Sequence, residues 1–167
     1  MLPYLVSSVG FLLAIMLQYG VVGRAPLAAG FGDIVLLFVA AWSLHQHLRR
    51  FWVVIVLFGA LVGFMSAVPT LAILAVYLAV YFAAASIRFH TWQSPLLAMF
   101  VLTFFGTLLE HTVFVAVQLF SGVSVSIPDA VGEVLLPSVL INMLLAIPVH
   151  ALIQEVTRSI TPTGLEV

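Results

Sequence analysis

The chain has 167 residues, of which 64% are hydrophobic and only 7% charged, with a net formal charge of −1 and no lysine. Such a composition cannot clothe a soluble globule in polar side chains, and it offers no basic patch to nucleic acid. The absence of cysteine excludes structural disulfides, thiolate zinc sites and cysteine nucleophiles together.

The expectation is an all-α, polytopic integral membrane protein. A hydrocarbon core of about 30 Å takes about 20 apolar residues per helix. Six apolar runs serve, at about 4–22, 33–48, 51–67, 70–87, 95–120 and 133–156. The opening Met1-Leu-Pro-Tyr4 has neither a basic n-region nor a small-residue cleavage site, so the first run reads as a retained helix. Asp33 follows Gly32 and opens the second run, where an N-cap carboxylate would satisfy free amides and oppose the positive helix end. The short second and third runs meet at a tight turn around Arg49 and Arg50. In the third run Gly59 and Gly63 form a small-xxx-small pair, read as an internal packing face, and Ala75, Ala79 and Ala83 of the fourth run are read in the same way. All connections are brief and no internal repeat is visible, so the chain forms one domain, a single bundle of about six transmembrane helices.

Arginine placement sets the expected orientation, because positive residues flanking spans stay on the cytoplasmic side. With both termini inside, Arg49, Arg50 and Arg88 are cytoplasmic anchors, Arg158 is cytoplasmic too and Arg24 alone lies outside; the outward loops are then Gly23 to Gly32, Pro69 with its neighbours, and the Ser/Val-alternating segment from Ser121 to Glu133. Trp52 and Trp92 then sit beside those arginines, at the interface that indoles favour.

The fifth run carries Glu110 near its middle, where a charged side chain costs about 2.5–3.5 kcal/mol on the insertion scale. It must be protonated, paired or wet. Thr103, Thr107, Glu110, His111 and Gln118 fall within one broad arc. In the sixth run Ser138, Asn142, Ala146, His150 and Gln154 recur every four residues, a line that drifts slowly around the helix and marks one side as protein-facing. The arc is expected to pack on this line as a polar seam of Thr107, Glu110, His111, Ser138, Asn142 and His150. Two roles for Glu110 stand open: a neutral hydrogen bond that fixes helix pairing, or a proton relay through His111 and His150.

Signatures of enzymes are missing. There is no glycine-rich phosphate loop, no His-Glu-x-x-His and no Gly-x-Ser-x-Gly. His45 and His47 are two apart and project to different sides, and His111 and His150 are too few for a metal site, so no cofactor is expected.

The run Leu136-Pro137-Ser138, then Leu140-Ile141-Asn142, then Ile147-Pro148-Val149-His150, resembles the last membrane helix of the MreD family, the rod shape-determining membrane proteins of bacteria. The segment from Asp33 to Trp42 and the glycines Gly59 and Gly63 echo the same family upstream. Gly32 stands where the family has proline. The resemblance implies a non-enzymatic component of the cell-elongation (rod) complex in the bacterial cytoplasmic membrane. Such a component binds MreC and supports peptidoglycan synthesis by RodA and its class B penicillin-binding transpeptidase, in concert with MreB. It also implies a fold similar to the substrate-binding (S) components of energy-coupling-factor vitamin transporters. The alternative is a small-molecule transporter or substrate-capture subunit with a polar pocket around Glu110, His111 and Asn142.

Overall fold

The computed structural model describes residues 2–20, 30–45, 50–89 and 94–160. Within them every regular element is helical: α1 (Leu2–Gly20), α2 (Ile34–His45), α3 (Phe51–Met65), α4 (Thr70–Phe89), α5 (Pro95–Phe120), the short α6 (Ile127–Asp129) and α7 (Leu136–Ile160). A π-helical turn, Ala130–Leu135, joins α6 to α7, so that Ile127–Ile160 runs as 34 uninterrupted helical residues. Among the described residues four helical stretches are long and apolar enough to cross a membrane: α1, α4, α5 and this last one. Helices α2 and α3 are shorter and equally apolar.

The core is built around α2. All nine residues from Val35 to Ser43 are buried, because α1, α4, α5 and α7 pack around this helix. A helix that is apolar on all sides has no solvent face to offer, and the centre of the bundle is where it fits. Aromatic rings carry the packing outward. Phe38 meets Phe11 of α1 edge-on at 5.5 Å and stacks on Trp42 at 5.5 Å, while Trp42 and Phe51 of α3 lie 6.2 Å apart. Phe11 also stacks on Phe58 of α3 at 5.4 Å. Truncating Phe11 would leave a void of a kind that costs about 3–5 kcal/mol.

The outer surface has the opposite character from that of a soluble protein. Phe120, Phe64 and Leu71 are 93%, 84% and 81% exposed, and α7 turns Leu140, Leu144 and Leu152 outward while burying Ser138, Asn142, Ala146 and His150. Polar residues inside and large apolar residues outside match a lipid solvent.

Local sequence explains the ends. Ser94 caps α5 by accepting the Leu97 N–H at 3.4 Å, with Pro95 at the first helical position, where its missing donor is harmless. At the other end Gly122 takes φ +80°, and Val123 N–H donates to Gln118 O at 3.0 Å while Gly122 N–H donates to Leu119 O at 3.1 Å. That is the paired-bond termination for which a left-handed residue is needed. The segment beyond it, expected as an outward loop from Ser121 to Glu133, lacks regular structure only over 123–126 and then coils into α6 and the π turn.

Gly59 and Gly63 lie on the α3 face that packs on α4. A Cβ at Gly59 would come within 2.8 Å of the movable Leu74 Cδ2, whereas at Gly63 it would come within 2.6–2.7 Å of three atoms of the branched Thr70 side chain. The expected order is therefore Gly63→Ala worse than Gly59→Ala, by about 1 kcal/mol, given the cost of overpacking. Reversible unfolding in mixed micelles reads that difference directly, and equal losses at the two sites would contradict the assigned packing.

Candidate functional site

The site begins where the chain is not helical. Residues 30–33 run up to α2 without regular structure. At membrane depth every amide of such a stretch needs a partner within the protein. Side chains of α1 and α7 supply them. Phe31 N–H donates to Ser138 Oγ at 2.8 Å and Asp33 N–H to Asn142 Oδ1 at 2.7 Å. Gln18 bridges the same junction twice: its Nε2 donates to Gly32 O at 2.8 Å, and its Oε1 accepts Ile34 N–H at 2.8 Å. Asp33 Oδ1 then caps the helix by accepting Leu36 N–H at 2.8 Å. Two of the free amides in the first turn of α2, those of Ile34 and Leu36, are thus engaged by side chains.

Asn142, fully buried, also donates through Nδ2 to Thr107 Oγ1 of α5 at 3.0 Å. One amide side chain therefore ties α5 and α7 to the start of α2.

Beside this junction lies a chamber of about 160 Å³, lined by Gln18, Tyr19, Asp33, Val62, Ser66, Ile73, Val76, Tyr77, Glu110 and Phe114. It opens into a vestibule of about 990 Å³ that shares Gln18, Tyr19, Asp33, Ser66, Glu110 and Phe114 with it. The vestibule's far wall is the 123–135 segment, with Asp129 and Glu133, and its near wall includes His111 and Gln118. Glu110 is 7% exposed and Asp33 8%; both residues line the chamber together with Tyr77, close enough for the three side chains to interact electrostatically. Glu110 Oε2 has no hydrogen-bond partner among the described residues.

The expected polar seam is thus divided. Thr107 and Asn142 meet across α5 and α7, as just described. Ser138 and Pro137 face the 30–33 segment instead, with Pro137 so close to Gly30 that a Cβ there would come within 2.6 Å of it. Glu110 turns away from α7 toward Asp33 and Tyr77. His111 Nδ1 lies 2.9 Å from Thr107 O on its own helix and does not meet His150. His150 pairs with His45 at the end of α2, ring nitrogens 3.2 Å apart. The relay from Glu110 through His111 to His150 therefore has no continuous contact. Pro148 is exposed on α7. Of the arginine anchors, Arg50 is exposed and its backbone N–H donates to Tyr4 Oη at 3.3 Å, Arg88 lies in the last turn of α4, and Arg49 lies outside the described residues, as do Arg24, His47 and Trp92.

Two residues of the site were not singled out from the sequence. Gln18 is the one amide side chain in α1, and a polar residue deep in an apolar run is by itself a signal of internal bonding. Tyr77 looked like an ordinary apolar-helix tyrosine, and only the approach of α4 to Asp33 gives it a polar partner.

No group of three or more metal-binding side chains occurs among the described residues. Glu110→Gln keeps the side chain's shape and hydrogen-bonding capacity. The expected result is an unfolding free energy within about 1 kcal/mol of the parent's, checked by the same micellar unfolding, whereas a collapse of the fold would give the carboxylate a structural role the geometry lacks. No family model matches the chain, and comparison with curated proteins and with solved structures finds no match.

Proposed function

We propose that this protein is a non-enzymatic scaffold of the bacterial cell-elongation complex, similar to MreD, that binds an MreC-like protein in the cytoplasmic membrane. Through that partner it supports RodA, its class B transpeptidase and MreB. In this reading α1 to α5 and α7 make six spans, with α2 and α3 the shortest, the fold is like that of the transporter S components, and both termini are cytoplasmic.

The observation that supports it best is where the family-like residues lie. Asp33 lies more than 100 positions from Pro137, Ser138 and Asn142 in the chain, yet these four surround one junction at the start of α2. A motif that holds backbone together rather than presenting reactive groups suits a protein whose function is association. The Tyr4–Arg50 and His45–His150 contacts bring the beginnings of α1 and α3 and the ends of α2 and α7 into one half of the bundle, in line with the proposed sidedness. With nearly all its mass in apolar helices, the chain offers partners mainly its outer walls and the 121–133 segment.

The test is a mild-detergent pull-down of the tagged protein from its native host, with mass spectrometry of everything retained. The expected result is an MreC-like protein together with RodA and its transpeptidase. Recovery of an ATPase pair with a coupling membrane subunit would overturn the reading in favour of transport.

A further inference from the structure

We infer that the chamber between Asp33, Tyr77 and Glu110 is a binding site for an organic monocation: one ammonium or guanidinium group on a short alkyl stem. This assignment does not depend on the identity of any partner in the elongation complex.

Charge complementarity is the first argument. Four of the chain's six acidic residues, Asp33, Glu110, Asp129 and Glu133, line the chamber and its vestibule, and no arginine is among the described lining residues. The second argument is independent of that count. Glu110 is 93% buried by its 7% exposure, lines the chamber, and keeps Oε2 without a hydrogen-bond partner among the described residues. A buried acceptor left unpaired calls for a donor that enters from outside. The Asp33, Ile34 and Leu36 amides at the start of α2, the donors an anion would seek at a helix N-terminus, are already bonded to Asn142, Gln18 and Asp33.

Shape and lining select the kind of cation. At about 160 Å³ the chamber is more than ten times the roughly 10–15 Å³ that one water requires, so a head group of several heavy atoms fits. Val62, Ile73, Val76 and Phe114 supply an apolar wall for a stem, which a bare metal ion would not use. The two carboxyls and the phenol of Tyr77 match the several donors of an ammonium or guanidinium, and the aromatic rings add a cation–π surface. The wide vestibule admits either a free amine or a basic side chain of a bound protein, and the chemistry at Glu110 is the same for both.

The experiment uses the full chain purified in nanodiscs, with n-butylguanidinium chloride as the probe and equal sodium chloride as the reference. Calorimetric titration is expected to show saturable binding above the salt reference, weakened at least tenfold in Glu110→Gln. Asp33→Asn, which keeps a helix-capping side chain, is expected to weaken it in the same direction. A measurement on the unaltered protein guards against a variant that does not fold: labelling of Glu110 by a hydrophobic carbodiimide should fall severalfold when the probe saturates. Binding no stronger than with sodium chloride, affinity unchanged in Glu110→Gln, or labelling unaffected by the probe would each overturn the assignment. In complexes isolated from the host, protection that ends only when the partner dissociates identifies a partner's basic side chain as the occupant. Protection removed by dialysis with the complex intact identifies a free amine.

Discussion

Asn142→Ala is expected to lower the unfolding free energy by about 2–4 kcal/mol, among the largest losses for any single substitution in this protein, and to lower recovery of bound partners with it. The side chain is fully buried and joins three elements. Removing it leaves the Asp33 N–H and the Thr107 hydroxyl without their partner, and at this depth water does not replace it cheaply. Interhelical hydrogen bonds in membranes average only about 0.6 kcal/mol, so the Thr107 bond alone accounts for little. The backbone amide dominates. Thr107→Val removes only the weaker bond and is expected to cost less than about 1.5 kcal/mol. Steric-trap unfolding in bicelles separates the two, and near-equal losses would show that the bond to Asp33 does not carry the junction.

Gly30→Ala is the companion experiment, acting on the same junction from the opposite side. A Cβ at residue 30 would come within 2.6 Å of Pro137 Cβ, 2.8 Å of Pro137 C and 2.8 Å of Ser138 N. Two of these atoms are backbone inside α7, so neither can swing away as a leucine tip can. The segment would have to lift from α7, taking the Phe31–Ser138 and Asp33–Asn142 bonds with it. The expected loss is about 2–4 kcal/mol, or failure to accumulate in the membrane. Measured side by side with Gly59→Ala, where only Leu74 Cδ2 is in the way, Gly30→Ala should be the more damaging. The reverse order would show that the start of α2 is not held against α7.

How much of this was legible in the sequence depended on whether the signal was local. The start of α5 at Ser94-Pro95 and its stop at Gly122 are written in adjacent residues, and the four-residue line from Ser138 to His150 marks the buried side of α7. The Ser/Val alternation of 121–126 suggested a loop as far as Glu133, because a three-residue helix and a π turn leave no periodic trace. Glu110 shows the harder limit. Three residues along a helix turn through about 300°, so Glu110 points about 60° away from Thr107, enough to face a different neighbour. Periodicity placed both on one arc, but α5 touches α2, α4 and α7, and the sequence does not say which neighbour each residue of the arc meets. The meeting of Asp33 with Asn142 spans 109 positions, and no pattern short of the folded bundle joins them.

The uninterrupted helical stretch from Ile127 to Ile160 bears on how the protein would respond to the lipid around it. At 1.5 Å per residue its 34 residues reach about 50 Å, against a hydrocarbon thickness of about 30 Å. The excess is taken up by tilt or by protrusion, and the exposed Asp129 and Glu133 at its beginning make protrusion the cheaper of the two. That protruding end forms one wall of the vestibule. Acyl-chain length is therefore expected to bear on the site: a thicker bilayer would bring this wall nearer the lipid headgroups, and a thinner one would leave it standing clear of them.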